Sequence, residues 1–418
     1  MASFLRTTWG SRSLVLLDQG VLSGFAFLTT LALLRGMGLQ GFGLYSLLAL
    51  GWMWGLGLVQ ALLIQPMQTL VGSRTGARRE AYLSGCWRLA LGLMVPVSAL
   101  SAALVWGLGC GADVALGFAC FLLARTLQMQ VRGAAFAVGA RREALISDAI
   151  GQGGGFLAIV LLGPVLDWSL SGILLLQAAG WALAGGYSLI GFVGRGVEPL
   201  PLRGLAVRHW RFARWLVGMA AVRWVASNAF LLAVAAQFGP ASLAIVRGVQ
   251  AIVGVANLGL AAMESVLPTG AAVEAGRDGE RGLVRYLRGF ALKGFVPVGL
   301  LVACLVVFPG PFLVLVFGGV PPEGARELLM GLAFLPASSF LYTLYSVAYR
   351  TLRMTRQMFW CYGAMALLVS GLAPVVVEEF GLAGAAWGMA LQPLFMVVCL
   401  ALGLLMKSGH RLSLEHSA

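Results

Sequence analysis

The chain has 418 residues, 60% of them hydrophobic and only 11% charged, with a formal net charge of +13. A soluble domain carries about a quarter charged residues, so this composition excludes a soluble globular protein. With no soluble basic face to hold it, the positive charge reads as membrane topology and excludes a nucleic-acid partner.

Twelve apolar stretches are long enough to cross a bilayer, at 13–34, 42–65, 83–108, 112–134, 146–166, 170–193, 212–236, 241–267, 290–316, 324–349, 357–377 and 382–406. About 20 residues suffice, because roughly 30 Å of hydrocarbon is crossed at about 1.5 Å per residue. The first stretch is too long for a signal-peptide core, and no small-residue cleavage site follows it, so it reads as a span. The termini and the connections after even-numbered spans, counted with the span ends beside them, hold 24 of the 29 basic residues. The opposite connections hold Arg35 and Arg326 beside Asp113, Asp167, Glu323, Glu327, Glu378 and Glu379. Positive connections stay in the cytoplasm, which predicts a multi-pass protein with both termini cytoplasmic.

Span one carries Asp18, followed by Gln19, Ser23, Ala26 and Thr30 at helical spacing. Its carboxylate either caps or pairs locally near the interface, or faces the interior as a coupling group. Arg35 follows at the outer end of this span. In span four, Arg125, Gln128 and Arg132 share a face. Arg132 can snorkel to the inner surface, whereas Arg125 lies about 10 Å deeper. The longest polar connection, residues 194–211, contains two prolines and divides the chain into six-span halves, 1–193 and 212–418. Two such halves suit a transporter with its site at their interface.

Span seven places Arg223 about 16 Å beyond its start at Phe212. A lone arginine on a lipid face there would cost at least about 2.5 kcal/mol, so the side chain lines a cavity or pairs with Asp18 or Glu264. Span eight carries Arg247, Gln250, Gly254, Asn257, Ala261 and Glu264 at alternating steps of three and four. Such a seam faces protein or water, either as a binding surface or as helix–helix hydrogen bonding. Arginines at three depths would give an interior a positive field suited to phosphate or carboxylate.

Several chemistries have no carrier in this chain. There is no phosphate-binding Gly-x-x-x-x-Gly-Lys-Ser/Thr loop, and the only lysines are Lys293 and Lys407. His209, His410 and His416 all lie in predicted cytoplasmic segments. The six cysteines form no Cys-x-x-Cys pair, and no acidic, His or Cys cluster has metal-ligand spacing. No metal, cofactor or enzymatic activity is therefore expected. The expected outer connections are too short for the catalytic loops of a glycan polymerase or transferase, which stands as a weaker reading, and a non-transporting assembly scaffold is weaker still.

Asp18-Gln19-Gly-Val-Leu-Ser23, Leu33-Leu34-Arg35-Gly-Met-Gly38 and Gly41-Phe42-Gly43-Leu44-Tyr45 resemble the first helical hairpin of the polysaccharide and O-antigen flippases. Arg125 to Arg132 with Phe136-Ala137-Val138-Gly139, and span eight ending at Leu267-Pro268, are similar to matching segments of that family. It belongs to the MATE-like MOP superfamily, which also holds multidrug extruders and the peptidoglycan-precursor flippase. The resemblance implies an all-α integral membrane protein, twelve helices in two six-helix lobes around a central cavity. It implies a monomeric flippase of the bacterial inner membrane, moving an anionic lipid-linked oligosaccharide by alternating access, with H+ or Na+ as coupling cation and glycan-polymerising machinery as a partner beside membrane lipids. On that reading Arg125, Arg223, Arg247, Gln250 and Asn257 bind substrate, while Asp18, Arg35 and Glu264 couple or gate. The chain departs from the family in being short and almost free of lysine, with no acidic residue deep in span seven. A drug or cation antiporter of the same superfamily is the alternative.

Overall fold

The computed structural model describes residues 2–72, 74–192 and 200–415. The side chains of Asp18, Asn257 and Glu264 fall outside the described residues, as do those of His410 and His416. Among the described residues every regular element is helical: α1 (Ala2–Val59), α2 (Gln65–Val71), α3 (Gly76–Gly107), α4 (Ala112–Val138), α5 (Arg141–Asp148), α6 (Gly155–Leu162), α7 (Leu170–Phe192), α8 (Leu202–Gly254), α9 (Ala256–Val307), α10 (Pro309–Phe317), α11 (Ala325–Leu332), α12 (Leu335–Thr351) and α13 (Thr355–Glu415). Single π-helical turns, Gln60–Ile64 and Ala149–Gly154, join α1 to α2 and α5 to α6.

Nine of the described helices are long and apolar enough to cross a membrane. Two of them run 53 residues, which as straight rods would reach about 80 Å, far beyond one bilayer. They break at glycines held at positive φ: Gly38 (φ 68°, ψ −179°) in α1 and Gly239 (φ 79°, ψ −177°) in α8. α13 breaks at Gly381 (φ 60°). Dividing these three helices adds 3 arms to 9, consistent with the twelve expected spans. Only glycine enters this region without a Cβ penalty, and Pro240 directly after Gly239 starts the next arm with φ already set. Gly38 and Gly239 share nearly the same dihedral angles at the first-to-second and seventh-to-eighth corners. Gly-Leu recurs in sequence at 38–39 and 381–382, the first and last hairpins, whereas the backbone angles pair Gly38 with Gly239, 201 positions apart.

Two compact units make up the chain, Met1–Ala221 and Val222–Ala418. The expected connection 194–211 is helical from Leu202 onward, and its start belongs to the first unit. The reason lies in its buried side chains. Leu205 packs with Tyr82, Leu83 and Cys86, and the Leu200 N–H donates to the Ala81 carbonyl. His209 is 3% exposed. Its Nε2 lies 2.9 Å from the Tyr82 hydroxyl and its Nδ1 3.3 Å from the Leu62 carbonyl. Burial pushes the His209 imidazole, ahead of the seventh span, below its ordinary pKa.

Close glycine contacts set the helix packing in each unit. A Cβ on Gly151 would fall 2.2 Å from the Trp181 ring, and one on Gly117 would meet Leu174 and the Ser171 carbonyl at 3.2 Å. In the second unit, Phe230 occupies the space above Gly388, where a Cβ would sit 2.1 Å from the ring. Small residues let membrane helices approach this closely.

Candidate functional site

In the first unit, polar side chains from α4, α5 and α7 form one connected network. Arg125, half-buried on α4, lays its guanidinium 3.7 Å from the centroid of the Trp181 ring on α7. Its Nη1 donates to Gln128 Oε1 at 2.8 Å. Gln128 is fully buried and its Nε2 donates to Asp148 Oδ1 at 2.8 Å. Arg132 donates from Nε to Asp148 Oδ2, while Ser147 Oγ donates to the Ala184 carbonyl at 3.2 Å. The Asp148 side chain is 0% exposed and that of Arg132 30%.

This arrangement satisfies groups that are expensive in a membrane. An arginine over tryptophan gains about 2 kcal/mol when desolvated, and a hydrogen bond to a charged group contributes about 1.5–3 kcal/mol. Among the described residues one carboxylate, Asp148, faces both guanidinium charges. Directly after Asp148 the helix widens into the π-helical turn Ala149–Gly154, of sequence Ala-Ile-Gly-Gln-Gly-Gly. Such turns frequently mark functional sites. Gly151 within it leaves the room that Trp181 fills, so the turn shapes the plate on which Arg125 rests.

Sequence reading placed Arg125, Gln128 and Arg132 on one face and overlooked Asp148. The signal was available: Asp148 is an ionisable residue inside the expected span 146–166, and such residues are rare enough there to demand a partner. Its place near the span's start disguised it as an interfacial charge.

In the second unit, Arg223 is exposed. Its guanidinium carbon lies 5.9 Å from the centroid of the Tyr362 ring on α13. Among the described residues no carboxylate pairs with it. Arg247 is half-buried; its Nη1 donates to Gln250 Oε1 at 3.4 Å, and Gln250 Nε2 points to Met389 Sδ at 3.2 Å. The seam on the eighth span therefore reaches the last helix through Gln250. Asn257, Glu264 and Asp18 lie outside the described side chains. Arg35 is exposed three residues before the Gly38 break, at the end of the first arm. Arg125 belongs to the first unit, Arg223 and Arg247 to the second. Among the described residues no group of three or more His, Cys, Asp or Glu could hold a metal ion.

These helical arms, broken at glycines and divided into two compact units, correspond to solved structures over nearly the whole chain. An inward-facing multidrug resistance MATE family transporter of the MOP superfamily superposes with a TM-score of 0.72, 15% identity and 96% coverage of both chains. The chain has the MATE fold. The lipid II flippase MurJ, in an inward closed conformation, aligns at a TM-score of 0.67 and 13% identity over 97% of this chain and 87% of that one. A MOP superfamily transporter from Pyrococcus furiosus, described as having a binding pocket of reversed polarity that suggests a different function, gives 0.65 and 14% over 95% of both. No protein-family model and no curated protein sequence matches the chain. The MATE fold agrees with the all-helical membrane architecture expected from the sequence.

Proposed function

We propose that this protein moves an anionic lipid-linked oligosaccharide across the bacterial inner membrane by alternating access. The carrying observation is Arg223: a guanidinium within a membrane-spanning helix, exposed, with no described carboxylate beside it. A fixed charge in that setting is stabilised by a ligand of opposite sign, and guanidinium matches phosphate and carboxylate in two-pronged geometry. Arg247 and Gln250 add a second cationic and polar position on the neighbouring span. Asn257, next on the same seam, is assigned to sugar hydroxyls. The basic connections support cytoplasmic termini, and on this reading the protein acts as a monomer beside the machinery that consumes the exported glycan.

Coupling to a cation gradient requires a carboxylate that can exchange its partner for a proton or Na+. Asp148 is the described carboxylate with the required burial and the Arg132 partner. Asp18, Arg35 and Glu264 keep their assignment to coupling and gating. Export of lipid-linked glycan in cells that carry Arg223→Ala tests the reading. Loss of export at normal protein level is expected; unchanged export would remove Arg223 from the site.

A second reading, a drug or cation antiporter, has its own support. The multidrug transporter shares the fold at a TM-score of 0.72, and the first unit holds a buried carboxylate, Asp148, of the sign that an organic cation requires. Drug susceptibility of a deletion strain separates the two: a broad gain in susceptibility with intact glycan export favours the antiporter.

A further inference from the structure

Beside Arg223 the second unit holds a pair of tyrosines that the charge pattern did not single out. Tyr342 on α12 and Tyr362 on α13 join their hydroxyls in a hydrogen bond. Their rings meet edge to face, with centroids 6.3 Å apart and planes at 74°. Both residues are half-buried. Tyr362 lies seven residues past the start of α13 at Thr355, and Tyr342 nine before the end of α12 at Thr351. Those offsets put them about 10 and 13 Å along their helices. Arg223 stands over the Tyr362 ring, and the charge of Arg350, an exposed residue at the end of α12, also reaches Tyr362. Among the described residues neither arginine has a carboxylate partner.

Each part of this cluster has a different affinity. Two rings at nearly a right angle form a corner with two apolar walls, suited to the C–H face of a pyranose. The hydroxyls at its tip donate and accept hydrogen bonds, as sugar hydroxyls require. The two guanidinium groups supply positive charge for phosphate or uronate oxygens. Packing between spans alone would favour apolar side chains, and a guanidinium that faces no described carboxylate is costly in a membrane unless a polar ligand uses it.

We propose that Tyr342, Tyr362 and Arg223, with Arg350 nearby, form a sugar-phosphate subsite. The tyrosine corner selects for the first sugar, and Arg223 holds the adjoining phosphate. This assignment rests on the lipid-linked glycan reading and adds to it the residues that distinguish a glycosylated head from a bare pyrophosphate.

The test measures binding to the purified full chain in nanodiscs, with undecaprenyl pyrophosphate and undecaprenyl-pyrophosphoryl-N-acetylglucosamine as probes. The wild type is expected to bind the sugar-bearing lipid about tenfold more tightly. Tyr362→Leu should abolish that preference and leave bare pyrophosphate binding within about twofold. Tyr362→Phe, which keeps the ring and the packing, should retain most of it. Arg223→Gln should weaken both probes. Equal losses for both lipids in Tyr362→Leu, or no loss, would reduce the tyrosines to helix packing and overturn the subsite while the flippase reading stands. Failure of the wild type to bind either lipid would overturn both. N-acetylglucosamine 1-phosphate presents the same head without a tail: competition equal to that of the lipid assigns the site to a soluble sugar phosphate, weaker competition to the lipid head, and the subsite chemistry holds in either case.

Discussion

Arg125 and Arg223 are the same residue type, both within membrane-spanning helices, in opposite surroundings. Arg125 lies on the Trp181 ring and is held by Gln128, which in turn bonds Asp148, the partner of Arg132. Arg223 is exposed, touches one tyrosine ring and has no described counter-charge. A cation whose contacts lie inside its own unit helps to hold that unit together. A cation left without a partner is available to a ligand. The first unit therefore carries the internal charge balance, and the second carries the open positive charge.

The sharpest way to break this contrast is to remove the shared carboxylate. Asp148→Asn keeps the shape but removes the described carboxylate that faces both guanidinium groups. Breaking a buried pair from one side costs about 3–5 kcal/mol, and partial exposure of Arg132 places the expected loss near the lower figure. Thermal unfolding in detergent reads it. Adding Arg132→Gln should recover part of the loss, because contacting partners are not additive. An unchanged midpoint in the single variant would mean that Asp148 does not hold the network.

Gly151→Ala attacks the same network through packing. The added methyl would lie 2.2 Å from the Trp181 ring, so the ring must shift and take the Arg125 platform with it. Overpacking of this kind costs about 1–3 kcal/mol. If the ring is the link, Arg125→Gln should cost less in the Gly151→Ala background than alone; equal costs in both backgrounds would separate the turn from the arginine.

How much of this was legible follows from which forces act along the chain and which act across it. Spans, charge asymmetry and the all-helical fold were readable because hydrocarbon thickness and backbone hydrogen bonding act on every residue. The arginines were readable as exceptions to that rule. Their fates were not, because Arg125 is settled by Asp148 on α5 and Trp181 on α7, and no spacing within span four points to either. The Gly38–Gly239 correspondence also escaped, since dihedral angles repeat where sequence does not. The 194–211 connection misled for a related reason: its prolines and charges suit a surface loop, yet from Leu202 onward Leu205 and His209 find buried partners in the first unit.

His209 gives a smaller, pH-dependent test of that anchoring. Its pKa in the fold is depressed, so the unfolded chain binds the proton more readily, and the stabilisation present at neutral pH is lost as pH falls below about 6.5. Unfolding midpoints of the wild type should drop through that window, and His209→Gln should flatten that part of the profile. Parallel profiles for the two proteins would show that His209 is not the titrating group.

The smallest expected effect on stability is the most informative about the second unit. Arg223→Gln removes a charge that is exposed and pairs with no described carboxylate. Substitutions at such positions stay within about 0.5 kcal/mol, so its unfolding midpoint should match the wild type while affinity for a pyrophosphate-bearing lipid falls about tenfold or more. Arg125→Gln should behave in the reverse sense, lowering the midpoint through lost contact with Trp181 and Gln128 and changing affinity less. If Arg223→Gln instead destabilises the protein as strongly as Asp148→Asn, the guanidinium has a hidden structural partner. The second unit would then be neutralised like the first, and the anionic cargo would lose its receptor.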